Sequence, residues 1–336
     1  MGSGTASELL YDVSDPIHPR LLCTIANTSA HLFTGDTFVY LKPVSATETD
    51  IVLHSLGSGN ESVAGRFPFR VAAGAWTPDG SLMVYLGSIG ANPSGFSSQS
   101  VWLFSQQKSS LLYSYPLGIG DCICRFGLGP AVLAISPDGE YLVAGESRAG
   151  KGSQPLAVLR LSDGKVVLTA GADVVNAIWS RAGHRLYLFR GGGPSAESWT
   201  PEGGLVQLNA VSWSELPGVS PDGAQVAYTS YDDGGTPPAV PPRVYVYTIA
   251  SGATRMLLDQ PRTQALFVKD AWVWYLDEGP CTDSCAGLTA PTGKVFAMNL
   301  STGVEQTVSF ASGEAPLAQP YAYWPVFSPG EFWPNS

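Results

Sequence analysis

One short turn recurs along the chain with a strand-like segment on each side of it. The three clearest copies are WTPDGSLMVYLG at 76–87, ISPDGEYLVAGE at 135–146 and VSPDGAQVAYTS at 219–230. Proline presets the φ angle of a turn, aspartate bonds to its own backbone, and glycine accepts a positive φ. Each copy therefore predicts a tight hairpin, and the chain is expected to be built from repeated hairpins.

The spacing of these turns gives the size of the repeat. The corresponding positions along the chain are Asp36, Asp79, Asp138, Ala182 and Asp222. A period in the low forties, with some units lengthened, is typical of a four-stranded propeller blade. Two degenerate copies, at 266–276 and 324–333, bring the number of predicted inner hairpins to seven.

Each blade also needs a third strand with alternating apolar residues. Seven segments qualify, and they are 8–15, 50–57, 100–107, 156–163, 204–211, 243–250 and 294–301. Because the first of them precedes any inner hairpin, residues 8–26 are predicted to form the outer half of the last blade, with its inner part at 321–333. The sequence thus predicts an all-β fold over residues 8–336: a single seven-bladed β-propeller of four-stranded antiparallel blades, its ring closed by overlap of the N- and C-terminal strands.

The apolar residue before each turn is expected to pack between neighbouring blades. These residues are Trp76, Ile135, Trp179, Val219 and Phe327. The aspartates Asp79, Asp138 and Asp222 then have a structural role in their turns, and no catalytic role is predicted for them.

The turns at 135–146 and 219–230 resemble the repeats of the WD40-like (PD40, TolB-type) β-propeller family, which are also similar to repeats in the propeller domains of prolyl oligopeptidases. The strand YDVSDPIHPRLL at 11–22 is similar to the LVIVD-type repeats of bacterial surface propellers. The resemblance implies a propeller fold and a bacterial or archaeal envelope protein. Both motifs mark the ends of strands, so the resemblance implies no activity and no site residues.

Composition limits the possible partners. The net charge is −10, and there are six lysines, which argues against nucleic acid because phosphate binding needs a surplus of basic side chains. No apolar run approaches the roughly 18 residues of a membrane span, so direct insertion into a membrane is not expected. Residues 1–7 are interpreted as an added tail or linker. A sensory domain of a larger membrane-anchored protein stays open as an alternative.

The five cysteines indicate the redox environment. Cys122 and Cys124 lie in one glycine-rich segment and Cys281 and Cys285 in another, which favours local disulfides in an oxidising compartment and leaves Cys23 over. Pairing between the two segments is the competing connectivity. Zinc binding would need C-x2-C spacing and nearby histidines, and both are missing. We therefore predict an extracytoplasmic protein.

The predicted strand order sorts the loops onto two faces. Turns from the first to the second strand and from the third to the fourth open on one side, the short-turn face. Connections from the second to the third strand, and from the fourth strand to the next blade, open on the opposite side, the long-loop face. Nearly all of these connections are enlarged: 88–100, 117–129, 146–154, 190–204, 231–242, 277–293 and 312–323.

Long loops on a rigid scaffold are where binding function concentrates, although tolerant loops also drift in length without a function. The candidate ligand-binding residues mix aromatic, basic and acidic side chains. They are Phe96, Arg125, Phe126, Arg148, Lys151, Arg190, Trp199, Tyr231, Asp232, Asp233 and Asp283.

No metal site, cofactor or catalytic residue is predicted. The histidines are His18, His31, His54 and His184. Their scatter over different blades argues against a shared metal or a Ser-His-Asp arrangement.

The sequence favours a non-enzymatic binding or scaffolding propeller that recognises a protein or a glycan on its long-loop face. Asp232, Asp233, Glu278 and Asp283 keep one alternative open, a carbohydrate-active hydrolase or lyase with acids at the mouth of the ring.

Overall fold

The computed structural model describes residues 7–26, 29–34, 36–45, 48–67, 73–76, 82–89, 96–105, 108–116, 131–146, 156–171, 173–180, 184–190, 195–208, 217–230, 241–280 and 289–310. All helices and strands assigned within these ranges are β-strands. None of the described residues belongs to a helix of the length and hydrophobicity that crossing a membrane requires.

The described strands form one two-stranded sheet and six four-stranded sheets, all antiparallel, and we number the four-stranded sheets as blades in chain order. The two-stranded sheet consists of β1 (Ser7–Asp12) and β2 (Arg20–Ala26). Blade 1 consists of β3 (Ser29–Thr34), β4 (Thr37–Pro43), β5 (Thr49–Ser55) and β6 (Glu61–Phe67). Blade 2 consists of β7 (Ala73–Trp76), β8 (Leu82–Ile89), β9 (Phe96–Ser105) and β10 (Lys108–Pro116).

The remaining blades follow the same order. Blade 3 consists of β11 (Ala131–Ile135), β12 (Tyr141–Glu146), β13 (Ala157–Arg160) and β14 (Lys165–Thr169). Blade 4 consists of β15 (Val174–Trp179), β16 (Leu186–Arg190), β17 (Ser195–Thr200) and β18 (Gly204–Leu208). Blade 5 consists of β19 (Gly218–Val219), β20 (Gln225–Ser230), β21 (Arg243–Thr248) and β22 (Ala253–Met256). Blade 6 consists of β23 (Arg262–Lys269), β24 (Trp272–Pro280), β25 (Thr289–Asn299) and β26 (Val304–Thr307).

The all-β propeller class is confirmed, but the prediction of seven four-stranded blades is wrong. The described residues contain six four-stranded sheets, and within these residues β1 pairs with β2 in a two-stranded sheet. Alternation at 8–15 predicted a strand correctly, yet a pattern of side chains does not report how many neighbours a strand pairs with. The segment 321–333, which was expected to complete the last blade, lies outside the described residues.

One predicted third strand is also wrong. Residues 204–211 were expected to be the third strand of their blade, whereas β18 at Gly204–Leu208 is the fourth and β17 at Ser195–Thr200 is the third. The segment after Arg190 is rich in glycine and was interpreted as a long loop. It contains β17 because Ala196 and Trp199 are buried there, which sequence alternation did not show.

The turn at 220–223 is held by its own side chains. Ser220 Oγ donates to Asp222 Oδ1 at 2.6 Å and accepts the backbone N–H of Gln225 at 2.9 Å. Asp222 Oδ1 also accepts the backbone N–H of Ala224 at 3.0 Å. The turn that begins at Ser136 has the same three hydrogen bonds. The recurring motif is thus a compact hydrogen-bonded turn, as predicted.

Two features of this turn, its backbone conformation and its contact with the preceding blade, require glycine. Gly223 has a φ of 66°, a conformation that favours glycine. A Cβ added there would also lie 2.4 Å from the Cβ of Ser180 in the preceding blade. The Gly223 carbonyl accepts a hydrogen bond of 2.5 Å from the Tyr187 hydroxyl of that blade. The turn therefore closes a hairpin and contacts the neighbouring blade.

Buried side chains lie between consecutive blades. Trp179, before the turn of blade 4, packs with Tyr141 and Val143 of blade 3, and its Nε1 donates to the Ala134 carbonyl at 3.0 Å. Val219 packs in the same way against blade 4. The prediction that these residues pack between blades is confirmed for both.

The N-terminal segment connects the last described blade to the first. Trp274 Nε1 of blade 6 donates to the Pro16 carbonyl at 2.9 Å, and the Ser309 N–H donates to the Ile17 carbonyl at 2.8 Å. On the other side Leu22 of β2 packs against the buried Phe38 of blade 1. The segment from Pro16 to Leu22 thus contacts both ends of the series of blades.

Replacing Ser220 by alanine removes the hydroxyl that bonds Asp222 and the N–H of Gln225. We expect the free energy of unfolding to fall by about 1–2 kcal/mol, because the partly buried N–H of Gln225 loses its partner. Denaturant unfolding measures this change. Ser301→Ala, at an exposed turn position, is the control and should change it by less than about 0.5 kcal/mol. Equal losses in the two variants would contradict this role of the turn serine.

The same turn makes the stability of the fold depend on pH. The hydrogen bond from Ser220, and then that from the Ala224 N–H, outweigh burial and lower the pKa of Asp222 from its ordinary value of 3.8. A lowered pKa in the folded state stabilises the fold above the unfolded-state value and is lost as pH falls through the folded-state value. Melting temperature should therefore drop below about pH 4.

Asp222→Asn keeps the acceptor oxygen but cannot ionise, so its melting temperature should fall less steeply between about pH 4 and pH 2. Asp259→Asn, at a side chain that is 86% exposed, is the matched control. If both variants follow the pH profile of the wild type, the aspartate of the turn does not contribute to acid sensitivity.

Candidate functional site

Most of the candidate residues on the long-loop face lie outside the described residues. These are Arg125, Phe126, Arg148, Lys151, Tyr231, Asp232, Asp233 and Asp283, together with the cysteines Cys122, Cys124, Cys281 and Cys285. Phe96 begins β9, and Cys23 lies on β2. The structure describes the side chains of Arg190 and Trp199.

Trp199 lies in the core. It is on β17, is 5% exposed, and makes edge-to-face contacts with Tyr141 and Trp179, at centroid distances of 5.6 and 6.2 Å. The sequence placed it in an open loop, but the third strand of blade 4 turns the indole toward blade 3. Trp199 therefore stabilises the contact between blades and is not presented to a ligand.

Arg190 lies on the long-loop face, where β16 ends, between two carboxylates. Its Nη1 donates to Asp173 Oδ1 at 2.5 Å, and its Nε and Nη2 donate to Glu197 Oε2 at 3.0 and 2.7 Å. Burial acts to lower the pKa of Arg190, but the hydrogen bonds to Glu197 and Asp173 outweigh it and raise that pKa. Glu197 is 8% exposed, so its ion pair with Arg190 is partly buried.

A second cluster of the same kind lies in blade 1. Arg66, near the end of β6, donates from Nε to Asp50 Oδ1 at 2.5 Å and from Nη2 to Asp50 Oδ2 at 3.1 Å. Glu48 Oε2 lies 3.6 Å from Nη1 of the same guanidinium. The bidentate bond to Asp50 raises the pKa of Arg66.

A third cluster lies in blade 6 at the start of β23. Arg262 Nη1 donates to Asp277 Oδ1 at 2.6 Å, and its Nε and Nη2 each donate to Glu305 Oε1 at 3.2 Å. The guanidinium carbon lies 4.4 Å from the ring centroid of Phe296. Tyr275 donates to the same Glu305 oxygen at 3.0 Å, and burial, followed by the charge of Glu305, raises the pKa of Tyr275.

We call these three clusters the arginine–carboxylate groups. Each has one guanidinium and two carboxylates, so each leaves one negative charge in surplus. In the first two groups an outer carboxylate faces solvent: the side chain of Asp173 is 44% exposed and that of Glu48 41%. The described part of the long-loop face is therefore acidic and suits a cationic ligand.

A groove lies beside the group of blade 1. It has a volume of about 510 Å³ and is lined by Lys42, Asp50 and Glu61 together with exposed Val44 and Val63. The hydrogen bond from the Tyr40 hydroxyl lowers the pKa of Glu61. The groove thus combines apolar surface with paired charges, since Asp50 bonds to Arg66 and Glu61 lies 3.4 Å from the Lys42 ammonium.

Sequence reasoning identified Arg190 and missed its partners. Asp173 comes directly before β15 and Glu197 lies on β17, so the two acids meet the arginine only because their strands pair side by side. Spacing along the chain carries no signal of this contact, because the contact depends on β15 and β17 both pairing with β16.

No family model matches this sequence, and no curated protein matches it. Solved structures do match. A structure from work on two prolyl endopeptidases is 13% identical, with 86% of this chain and 44% of that chain covered and a TM-score of 0.57. An oligogalacturonate lyase in complex with manganese is 13% identical, with 91% and 85% covered and a TM-score of 0.51. The shared feature is the propeller fold.

TolB from Acinetobacter baumannii is also among the matches. It is 16% identical, with 72% of this chain covered and a TM-score of 0.44. The chain spans 57% of the length of this TolB and 44% of the prolyl endopeptidase chain. Propellers carry many unrelated functions, so the shared fold alone assigns none.

Arg190→Gln leaves Glu197 buried without its cationic partner. We expect the free energy of unfolding to fall by about 2 kcal/mol, the cost of hydrogen bonds to a charged group. Arg160→Gln is the control, because Arg160 pairs with Asp163 at the surface, where the two side chains are 41% and 46% exposed. The control should lose much less stability, because solvent weakens an exposed ion pair, and an equally small loss for Arg190→Gln would contradict a structural role for its group.

Proposed function

We propose that this chain is a non-enzymatic binding module that holds a protein partner against its long-loop face. The observation that carries the proposal is the set of arginine–carboxylate groups, which give that face fixed acidic side chains on a rigid scaffold. Basic side chains of a partner are the matching chemistry, since complementary charge guides association and fixes orientation.

Charge supports a protein ligand with a basic segment. Each of the three groups has one carboxylate more than its arginine neutralises, and the whole chain has a net charge of −10. The groove of blade 1 adds the apolar side chains of Val44 and Val63 next to Asp50. A mixture of apolar surface and carboxylates suits a lysine- or arginine-containing segment better than a neutral sugar.

Geometry favours binding over hydrolysis at these groups. A glycosidase places its two carboxyl groups on opposite sides of the bond that it cleaves. Here the guanidinium of Arg190 occupies the space between Asp173 and Glu197, with hydrogen bonds to both. A sugar substrate could reach the space between these carboxylates only by displacing the partly buried side chain of Arg190.

The proposed setting is extracytoplasmic, in a secreted, periplasmic or surface protein. The two pairs of closely spaced cysteines, which suit disulfides, support this setting. The chain could serve there as one domain of a longer anchored protein.

Charge reversal on one face tests the proposal. The double variant Glu48→Lys and Asp173→Lys reverses the exposed carboxylate of two groups, whereas Asp163→Lys with Glu202→Lys makes the same change at exposed positions in turns of the opposite face. A protein captured from an envelope extract, then purified, should bind the wild type and the second variant alike. It should bind the first variant at least about tenfold more weakly.

Equal binding by both double variants would show that the partner does not use the long-loop face. A thermal-shift panel of oligosaccharides completes the test, because any ligand of the folded state raises the melting temperature. A shift with an oligosaccharide, and no protein captured, would replace the protein partner by a glycan.

A further inference from the structure

Three side chains with metal-ligating atoms meet on the short-turn face, between blades 3 and 4. Asp138 and Glu140 belong to the hairpin that joins β11 to β12, and His184 belongs to the corresponding hairpin of blade 4, just before β16. One ligand atom from each lies within 4.8 Å of the other two. His184 Nε2 contacts Asp138 Oδ2 and lies 3.7 Å from Glu140 Oε2.

The turn fixes the carboxylate of Asp138. Its Oδ1 accepts hydrogen bonds from Ser136 Oγ at 2.5 Å and from the Glu140 N–H at 3.0 Å. Oδ2 is thereby directed toward the imidazole of the next blade. Because the Ser136 hydroxyl is also bonded to the Tyr141 N–H at 2.9 Å, the whole turn is ordered before any ligand binds.

The imidazole is held as well. The His184 ring meets the ring of Tyr141 edge to face, with 5.4 Å between centroids and 66° between planes. Tyr141 is buried between the two blades. The position of His184 therefore follows from the packing of blade 4 on blade 3.

We propose that Asp138, Glu140 and His184 bind a divalent transition-metal ion, with Zn²⁺ as the occupant. An imidazole nitrogen and carboxylate oxygens are ligands that zinc accepts at about 2.0–2.2 Å. Small side-chain rotations bring ligand atoms at the observed separation to those distances. Three protein ligands leave one position of a tetrahedral ion for water.

The corresponding turn of blade 5 shows which residues the turn needs for its own hydrogen bonds and which it does not. Blade 5 has the same hydrogen bonds between Ser220 and Asp222, but Ala224 occupies the position that corresponds to Glu140. The aspartate therefore makes the hydrogen bonds of the turn without a carboxylate two residues later. A carboxylate two residues later and an imidazole from the next blade are features of the blade 3 turn that the hairpin does not need.

The site escaped sequence analysis because the four histidines are scattered along the chain. In a propeller, however, the inner hairpins of consecutive blades lie side by side. His184 follows Glu140 by about one blade repeat, which places the two at equivalent positions of neighbouring hairpins. A metal ion there would join two blades and stabilise their contact.

Zinc titration tests the proposal on the full chain, stripped of metal with chelator and kept in non-reducing buffer. Calorimetry with ZnCl2 should show one site in the wild type, and zinc should raise the melting temperature. His184→Gln and Glu140→Gln should each bind at least about tenfold more weakly, because even the outer-shell partners of metal ligands contribute about 10–100-fold to affinity. Asp222→Asn, in the matched turn, should bind like the wild type.

Two results would overturn the proposal: no zinc binding by the wild type, or the same binding in both ligand variants, which would assign the zinc to other groups. Circular dichroism in chelator checks the fold of each variant. Glu140 is exposed, so Glu140→Gln decides the question if His184→Gln does not fold. Co²⁺ gives a second readout, because its visible absorption reports a nitrogen–oxygen ligand set and should change in both ligand variants.

Discussion

Buried side chains shared between neighbouring blades are the interaction on which this structure depends. A four-stranded sheet has two faces and cannot cover both by itself. Blade 3 contributes Tyr141 and Val143, and blade 4 contributes Trp179, to one continuous apolar cluster. Two aromatic side chains also donate across a blade boundary, Trp179 to Ala134 and Tyr187 to Gly223. Because an aromatic ring with a polar end fixes both distance and orientation, these bonds set how blades 3 and 5 are placed against blade 4.

The two faces of the propeller differ in how they use charge. On the short-turn face, carboxylates such as Asp222 bond to their own turns and are part of the fold. On the long-loop face, the carboxylates of Asp173 and Glu48 are oriented by arginines and still reach solvent. The proposed zinc site lies on the first face and the proposed protein surface on the second. The metal would therefore stabilise the blades without occupying the binding surface.

Much of the fold could be predicted because its strongest signal is local. Serine, proline, aspartate and glycine in one turn specify a hairpin through bonds within about five residues, and the turns at 136–139 and 220–223 have the predicted geometry. The burial of Trp179 followed from its place before such a turn. These predictions needed no information on distant contacts.

The incorrect predictions concern contacts between residues that are distant in the sequence. The number of four-stranded blades depends on which strands pair, and among the described residues the N-terminal strands β1 and β2 form a two-stranded sheet. Trp199 was placed in a loop because glycines precede it, yet packing against Tyr141 makes its segment a strand. The partners of Arg190 come from two other strands, so no local pattern marks them. The proposed disulfides and the remaining loop residues stay predictions.

The N-terminal segment joins the two ends of the series of blades, through Trp274 on one side and Leu22 on the other. Hydrogen–deuterium exchange of Trp274→Phe, which removes the bond to the Pro16 carbonyl, measures this link. Exchange should be faster in blade 6, in residues 7–26 and also in β4 of blade 1, far away in sequence. Faster exchange confined to blade 6 would show that the N-terminal segment does not join the two ends.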